Sequence, residues 1–328
     1  MVTDIVIGLQ HGDEGKGKVT HHLLKSGNYT HCIRFNGGCN AGHTIYHEGE
    51  KFVTHHIPAG VFFGVPSIIG PGCVLNVNKL FSEIVKLAER GVDLGRTLKI
   101  ASNVHIITEE HVSEDSKDET IGTTKSGNGP AYRDKYARRG VRAADIGFLK
   151  PFLIDVYEEL HNQDNPPVIL MEGAQGFWLD PDWGDYPYVT SSHCGVAAAL
   201  LNGVDPRSLR NVYGVAKIYE TYVGKKQFQP AGDVYDEIQV AGEEFGATTG
   251  RVRQCNWLNF KQLEQAIRMN GVNKLIFNKM DVLRKVGQWG VNNPHLYFSG
   301  EEEIKQFLRK NLPNTIQEFY FSDSPEFI

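Results

Sequence analysis

Asp13 is a carboxylate inside a loop otherwise suited to anions, the run Gly12-Asp13-Glu14-Gly15-Lys16-Gly17-Lys18. The three glycines let successive backbone N–H groups point inward, Lys16 and Lys18 bring positive charge, and a helix N-terminus follows. Together these make a cradle for a polyphosphate. A loop built only to hold anions has no use for a carboxylate. Asp13 is therefore expected either to ligate Mg²⁺ or to take a proton from the group that attacks the phosphate. Taken alone, the segment also fits a glycine-rich strand end with solvated charges. It is not the Walker pattern, because no Ser or Thr follows the Gly-Lys pair. A second glycine-rich loop, Asn36-Gly-Gly-Cys-Asn-Ala-Gly-His-Thr44, brings an imidazole, His43.

The elements that must position these loops follow from apolar periodicity. A short buried strand leads into the cradle, a helix is predicted over 19–25, and a strand over 29–36 feeds the second loop. Strands and turns alternate over 53–77, and a helix follows over 78–91. Periodicity disappears over 113–142, which reads as a long functional loop. Beyond it the pattern predicts a helix over 147–161, a buried strand over 167–172 and a small-residue helix over 196–201. Strands over 212–216 and 275–277 enclose a helix over 259–270. Alternating strands and helices define an α/β protein with a mostly parallel central sheet and flanking helices. The whole chain, 1–328, reads as one large domain with active-site loops.

The chain has 328 residues, 41% hydrophobic and 22% charged, enough for a large core. A net charge of -5, without basic runs, argues against a general nucleic-acid or membrane-surface binder. Five cysteines without C-x-x-C spacing indicate neither a disulfide framework nor a zinc ribbon. No secretory leader or membrane-spanning run is legible, so a cytoplasmic location is expected.

Five separated motifs then agree in collinear order: Gly12 to Lys18, Gly38 to Thr44, Gly122 to Tyr132 with Ala137 to Gly140, Glu172 to Gly176 with Tyr186 to Ser192, and Phe245 to Arg251. Together they resemble the adenylosuccinate synthetase family, in its compact form. The resemblance implies a P-loop-NTPase-like fold and a C–N ligase working in two steps. A nucleoside triphosphate phosphorylates O6 of a 6-oxopurine nucleotide, and the amine of L-aspartate displaces that phosphate at C6.

Residue roles follow by resemblance. Asp13 matches the group that removes the N1 proton and contacts Mg²⁺ together with the Gly42 carbonyl. His43 matches its acid partner, and Gln175 the amide that reads O6. Gly12, Glu14, Gly15, Lys16, Gly17, Lys18, Thr44 and Arg253 match triphosphate contacts, and Lys279, Asp281 and Ser322 match contacts to the donor base. Asn40, Thr124, Asn128, Arg138, Gln175, Thr190, Val223 and Arg251 match the monophosphate site. The arginine at 138 is expected to come from the neighbouring subunit of a homodimer. Ala247, Thr248, Thr249, Gly250, Arg251 and Arg253 match the loop that holds L-aspartate.

Departures from the family pattern cluster around the two nucleotides. Lys279-Met-Asp281 keeps the guanine-reading motif, but Asp323 and Ser324 replace the expected threonine and glycine, which makes ATP an alternative to GTP. Val252 interrupts the usual arginine run, Tyr222-Val-Gly-Lys-Lys226 replaces another arginine-containing stretch, and His11 stands where tryptophan is usual. Asn128 is polar where the family is apolar or carries cysteine. Asn128 and Val252 point to the viral branch of the family, of PurZ type, which uses dGMP and makes the precursor of 2-aminoadenine. IMP with GTP is the alternative, although retention of Asp13 favours the cellular form. A GTPase-like switch and an inactive purine-nucleotide binder are the readings from other classes.

Overall fold

The computed structural model of the chain describes residues 1–246, 250–326 and 328. Nine strands form its main sheet: β1 (Val2–Gly8), β2 (His31–Arg34), β3 (Ser67–Ile69), β4 (Leu98–Ala101), β5 (Leu153–Ile154), β6 (Val168–Glu172), β7 (Leu209–Lys217), β8 (Lys274–Asn278) and β9 (Glu318–Phe321). Across the sheet they run β9-β8-β7-β1-β6-β2-β3-β4-β5, and every neighbouring pair is parallel. Parallel neighbours cannot be joined by hairpins, so each strand leaves through a crossover. Along β1, Ile5 and Ile7 enter the core on one face with Ile33, Ile169 and Met171. Val6 enters the other with Cys32 and Leu170. Both faces are covered, which is why these strands read as apolar runs.

The register aligns Val6 with Glu172, Glu172 with Arg34, and Gly8 with Val215. The cradle after β1, the loop after β2 and the turn after β6 therefore spring from one edge, at the C-terminal ends of the central strands. That edge is where parallel α/β sheets bind ligands. A smaller sheet of Tyr219–Tyr222, Gln254–Asn259, Trp289–Asn292 and Leu296–Phe298 stands beside it.

Two stretches differ from expectation. The region 113–142 is not one loop, because α-helices run over Glu109–Ser116 and Asn128–Tyr136. The second begins Asn-Gly-Pro, and its only buried apolar residues, Ala131 and Tyr132, pack on a small cluster with Cys39, Val74 and Ile107, too narrow a stripe to give periodicity. The predicted helix over 147–161 is three elements. A 3-10 turn over Gly147–Phe152 contains Pro151, β5 follows, and Asp155 then caps the helix Val156–His161 by accepting from the N–H groups of Tyr157 and Glu158. Among the described residues no helix is long and apolar enough to cross a membrane.

Beneath the second loop, Glu83 accepts the N–H groups of His55, His56 and Ile57, and His56 Nε2 accepts that of Asn76 at 3.3 Å. Burial, then the charge of Arg34, hold His56 at about 3, so it folds neutral. The unfolded chain binds this proton below its ordinary 6.5 and the folded chain does not. Stability is thus full above that pH and falls as pH drops, by about 2 kcal/mol from this group at pH 5. The melting temperature is expected to fall between pH 7.5 and 5, and less steeply in His56→Gln. Equal slopes for the two proteins would count against the assignment.

Candidate active site

Gly12 and Gly15 take φ of 92° and 96°, a left-handed backbone that glycine adopts without strain. Asp13 lies between them at φ 60°. Glu14 turns inward: one oxygen accepts the N–H groups of Gln10 and Gly12 at 3.1 and 2.9 Å, and the other accepts Lys16 Nζ at 2.6 Å. A Cβ added at Gly8 or Gly176 would stand 2.3 Å from this carboxylate, so both glycines are required by the brace. Glu14 was expected among the triphosphate contacts. Its side chain instead holds the loop's shape, and only its backbone N–H remains for a phosphate. Asn278, at the end of β8, closes the turn from behind by donating to the Glu14 carbonyl at 2.7 Å.

His43 begins the strand His43–His47 and is buried, with its Cβ in the space a side chain at Gly17 would need. The second loop is thereby fitted against the cradle. Its Nδ1 lies 2.5 Å from Glu172 Oε1, which also accepts Arg34 Nη2 at 2.6 Å, while Glu172 Oε2 accepts the Ala59 N–H at 2.9 Å. Burial pushes the Glu172 carboxyl up, but Arg34 and His43 more than reverse this and hold it at about 2. Burial and Arg34 push His43 down to about 4 against the pull of Glu172. An ionised Glu172 can only accept, so the neutral ring carries its proton on Nδ1 and leaves Nε2 bare.

On the other flank Asp13 Oδ2 accepts Arg253 Nε at 2.7 Å, and Arg253 Nη1 reaches Glu244 Oε2 at 2.6 Å. Arg251 donates to the carbonyl of Gly122 at 2.7 Å, joining the loop of Thr124 to that of Arg253. Gly250 is exposed with φ 64°. Ala247, Thr248 and Thr249 lie outside the described residues.

Two side-chain amides with a buried polar atom face the second loop. Gln175 has φ 57°, and its Oε1, without a partner among the described residues, would stand 2.8 Å from a Cβ at Gly37. Asn128 Oδ1 would stand 3.0 Å from one at Gly38, and its Nδ2 has no partner among the described residues. Buried amide groups rarely stay unpaired, and two at one loop mark a place where polar ligand atoms belong. Asn40 accepts the Gly38 N–H at 3.2 Å, shaping that loop, and Thr44 follows His43 on its strand. Thr124 donates to Ser126 at 3.1 Å, Thr190 is fixed through its N–H to Leu179, and Val223 is half-buried after Tyr219–Tyr222. Arg138 is exposed at φ 62°, and its side chain makes no hydrogen bond or ion pair among the described residues.

Lys279, Asp281 and Ser322 gather at the ends of β8 and β9, where Lys279 donates to the Gly242 carbonyl at 2.8 Å and the Met280 N–H to that of Ser322 at 3.1 Å. Lys18 links this corner to the cradle's helix by donating to Ser322 Oγ at 2.7 Å. Asp323, whose charge set the tail apart, is paired with Arg284 at 3.1 Å. Sequence reasoning gave no role to Arg34, Glu172, Lys217 or Glu244. For the first three the available signal was a charged residue at the end of an otherwise apolar strand, whereas Glu244 lies in the turn after the helix Asp233–Ala241.

A glycine-and-lysine cradle at the C-terminal edge of an all-parallel sheet, with an acid and an imidazole on the loops around it, defines a nucleotide-using α/β enzyme. The chain belongs to the adenylosuccinate synthetase family, whose model matches residues 5–148 and 147–312, and it is a ligase that forms a C–N bond. The adenylosuccinate synthetase of Thermodesulfovibrio yellowstonii is 38% identical over 335 residues, covering 86% of this chain and 78% of that protein. That of Salinibacter ruber is 37% identical over 359 residues, covering 90% and 81%. The fully ligated adenylosuccinate synthetase of Plasmodium falciparum superposes with a TM-score of 0.85 at 28% identity, covering 98% of this chain and 97% of that one. The succinoaminodeoxyadenylate synthetase (PurZ) of cyanophage S-2L, bound to dGMP and dATP, shares the fold with a TM-score of 0.78 at 20% identity, over 99% and 93%.

Proposed function

We propose that the chain couples L-aspartate to C6 of IMP at the expense of GTP. The observation that carries this reading is the cradle with Asp13 on one flank and His43 fitted against Gly17 on the other. Asp13 takes the N1 proton of the purine, which turns O6 into a nucleophile for the terminal phosphoryl group of the triphosphate lying along Gly12, Gly15, Lys16 and Gly17. A polyphosphate in front of Nε2 raises the affinity of His43 for a second proton, and Glu172 stabilises the imidazolium that results. His43 then gives a hydrogen bond or proton to the phosphoryl oxygens as the diphosphate departs. The aspartate amine, held near Arg251 and Gly250, attacks C6 and phosphate leaves.

The donor set fits Mg²⁺. Asp13 Oδ1 is an anionic oxygen without a partner among the described residues, and the Gly42 carbonyl is a second hard ligand on the facing loop. When bound, the cation neutralises charge on the polyphosphate. The exposed Arg138 is suited to reach the monophosphate of a second subunit, which makes the enzyme a homodimer with shared sites.

IMP and GTP are favoured by the relatives at 35–38% identity, which are adenylosuccinate synthetases. A second reading, dGMP with ATP, rests on Asn128, whose buried amide is suited to the edge of a purine bearing a 2-amino group. Aspartate-dependent phosphate release from IMP and dGMP, each with GTP and ATP, separates the two. Turnover confined to dGMP would replace the first reading by the second, and no turnover with any pair would remove both.

A further inference from the structure

Arg253 divides its donors between two carboxylates that differ in every respect. Asp13 stands at the cradle, a third exposed, and receives Nε at 2.7 Å. Glu244 is fully buried and receives Nη1 at 2.6 Å, together with Tyr219 OH at 2.5 Å and Lys217 Nζ at 3.1 and 3.2 Å. Lys217 is itself buried and is held by Thr221 at 2.6 Å. The backbone repeats the attachment, because the Arg253 N–H donates to the Glu244 carbonyl at 2.9 Å and Gln239 donates to the Arg253 carbonyl at 2.6 Å. The four charged groups alternate in sign from Asp13 to Lys217, so the buried part is neutral in sum.

An arginine free to turn presents a two-pronged fork to a carboxylate and covers both oxygens. In the arrangement seen here Asp13 receives Nε, and Nη1 on the far side of the guanidinium is held by Glu244. We propose that Glu244 is a positioning residue for the reaction: by holding Arg253 Nη1 it fixes the guanidinium in the orientation that meets Asp13 Oδ2 through Nε, and so places Asp13 for the proton or cation it must receive. Lys217, Tyr219 and Thr221 hold Glu244 in turn. Burial raises the Glu244 carboxyl, and Lys217 and Arg253 more than offset this and bring it to about 2, so it stays ionised throughout the working range.

The catalytic part of this inference rests on the ligase reading, and its test has an arm that does not. Lys217→Met with Glu244→Met removes both buried charges together, leaving neither unpaired. In that protein kcat is expected to fall about 10- to 100-fold while KM for the purine nucleotide stays within about twofold, and Glu244→Gln is expected to fall less. In an Arg253→Met background the same pair of substitutions is expected to change kcat by less than about twofold, because the partner through which it acts is gone. Equal losses with and without Arg253 would overturn the proposal, as would an unchanged kcat. Independently of turnover, the Arg253 Nε–H proton is expected to exchange slowly with solvent in the native protein, by NMR, and faster in the charge-pair variant. Identical exchange would also overturn it, whereas an inactive native protein would remove the ligase reading and leave the exchange result standing.

Discussion

Asp13→Asn is expected to lower kcat roughly 10³- to 10⁴-fold while both nucleotides still bind. The substitution is as conservative as this position allows. Asparagine tolerates the left-handed backbone seen at φ 60°, so the cradle keeps its shape. Arg253 loses one ionic partner and retains Glu244, so the loop base stays anchored. What is lost is a proton acceptor and an anionic oxygen ligand at the same atom pair. Aspartate-dependent phosphate release gives the rate, titration with each nucleotide gives binding, and a thermal melt shows the fold intact. A rate within tenfold of the native protein would mean that the base lies elsewhere.

Glu172→Gln is expected to lower kcat roughly 10²- to 10³-fold through the ring it orients. The amide leaves Arg34 without its anion and offers His43 a neutral partner, so the tautomer with a bare Nε2 is no longer enforced and the imidazolium loses its counter-charge. The direction with pH follows. Where a protonated His43 is needed, the rate falls as pH rises through the pKa of the bound state. Removing a neighbouring negative charge lowers that pKa, so the alkaline limb of the kcat profile moves to lower pH. An unmoved limb would assign Glu172 to architecture alone. His43→Asn supplies the reference for complete loss of the ring.

Much of this was legible in the sequence because glycine leaves a mark. Gly12, Gly15, Gly17, Gly37 and Gly38 sit where a backbone turns left-handed or two loops touch, and each of the five collinear motifs that carried the family assignment contains such a glycine. The parallel sheet was equally legible, since strands covered on both faces are written in apolar residues. The cross-sheet pairs were not. Arg34, Glu172, Lys217 and Glu244 are charged residues at the ends of apolar runs or in turns, and which of them meet depends on strand order, which periodicity does not encode. The helix Asn128–Tyr136 was missed for a related reason, because Gly129 and Pro130 weaken its propensity and its small contact area gives no stripe. Glu14 was legible as a member of the loop but not as its brace, a role that the carboxylate beside Gly8 and Gly176 gives its side chain.

The position of β1 in the middle of the sheet has a consequence for synthesis. Its partners begin at Val168 and Leu209, and the carbonyl of Glu14 is capped by Asn278, so a nascent chain carries the complete cradle sequence long before anything can hold it in shape. Pairings of such sequence separation are slow to form. A chain ending before Val168 is therefore expected to carry the motif without affinity for a nucleotide, and the capacity to hold one to appear only once the partners of β1 have been made.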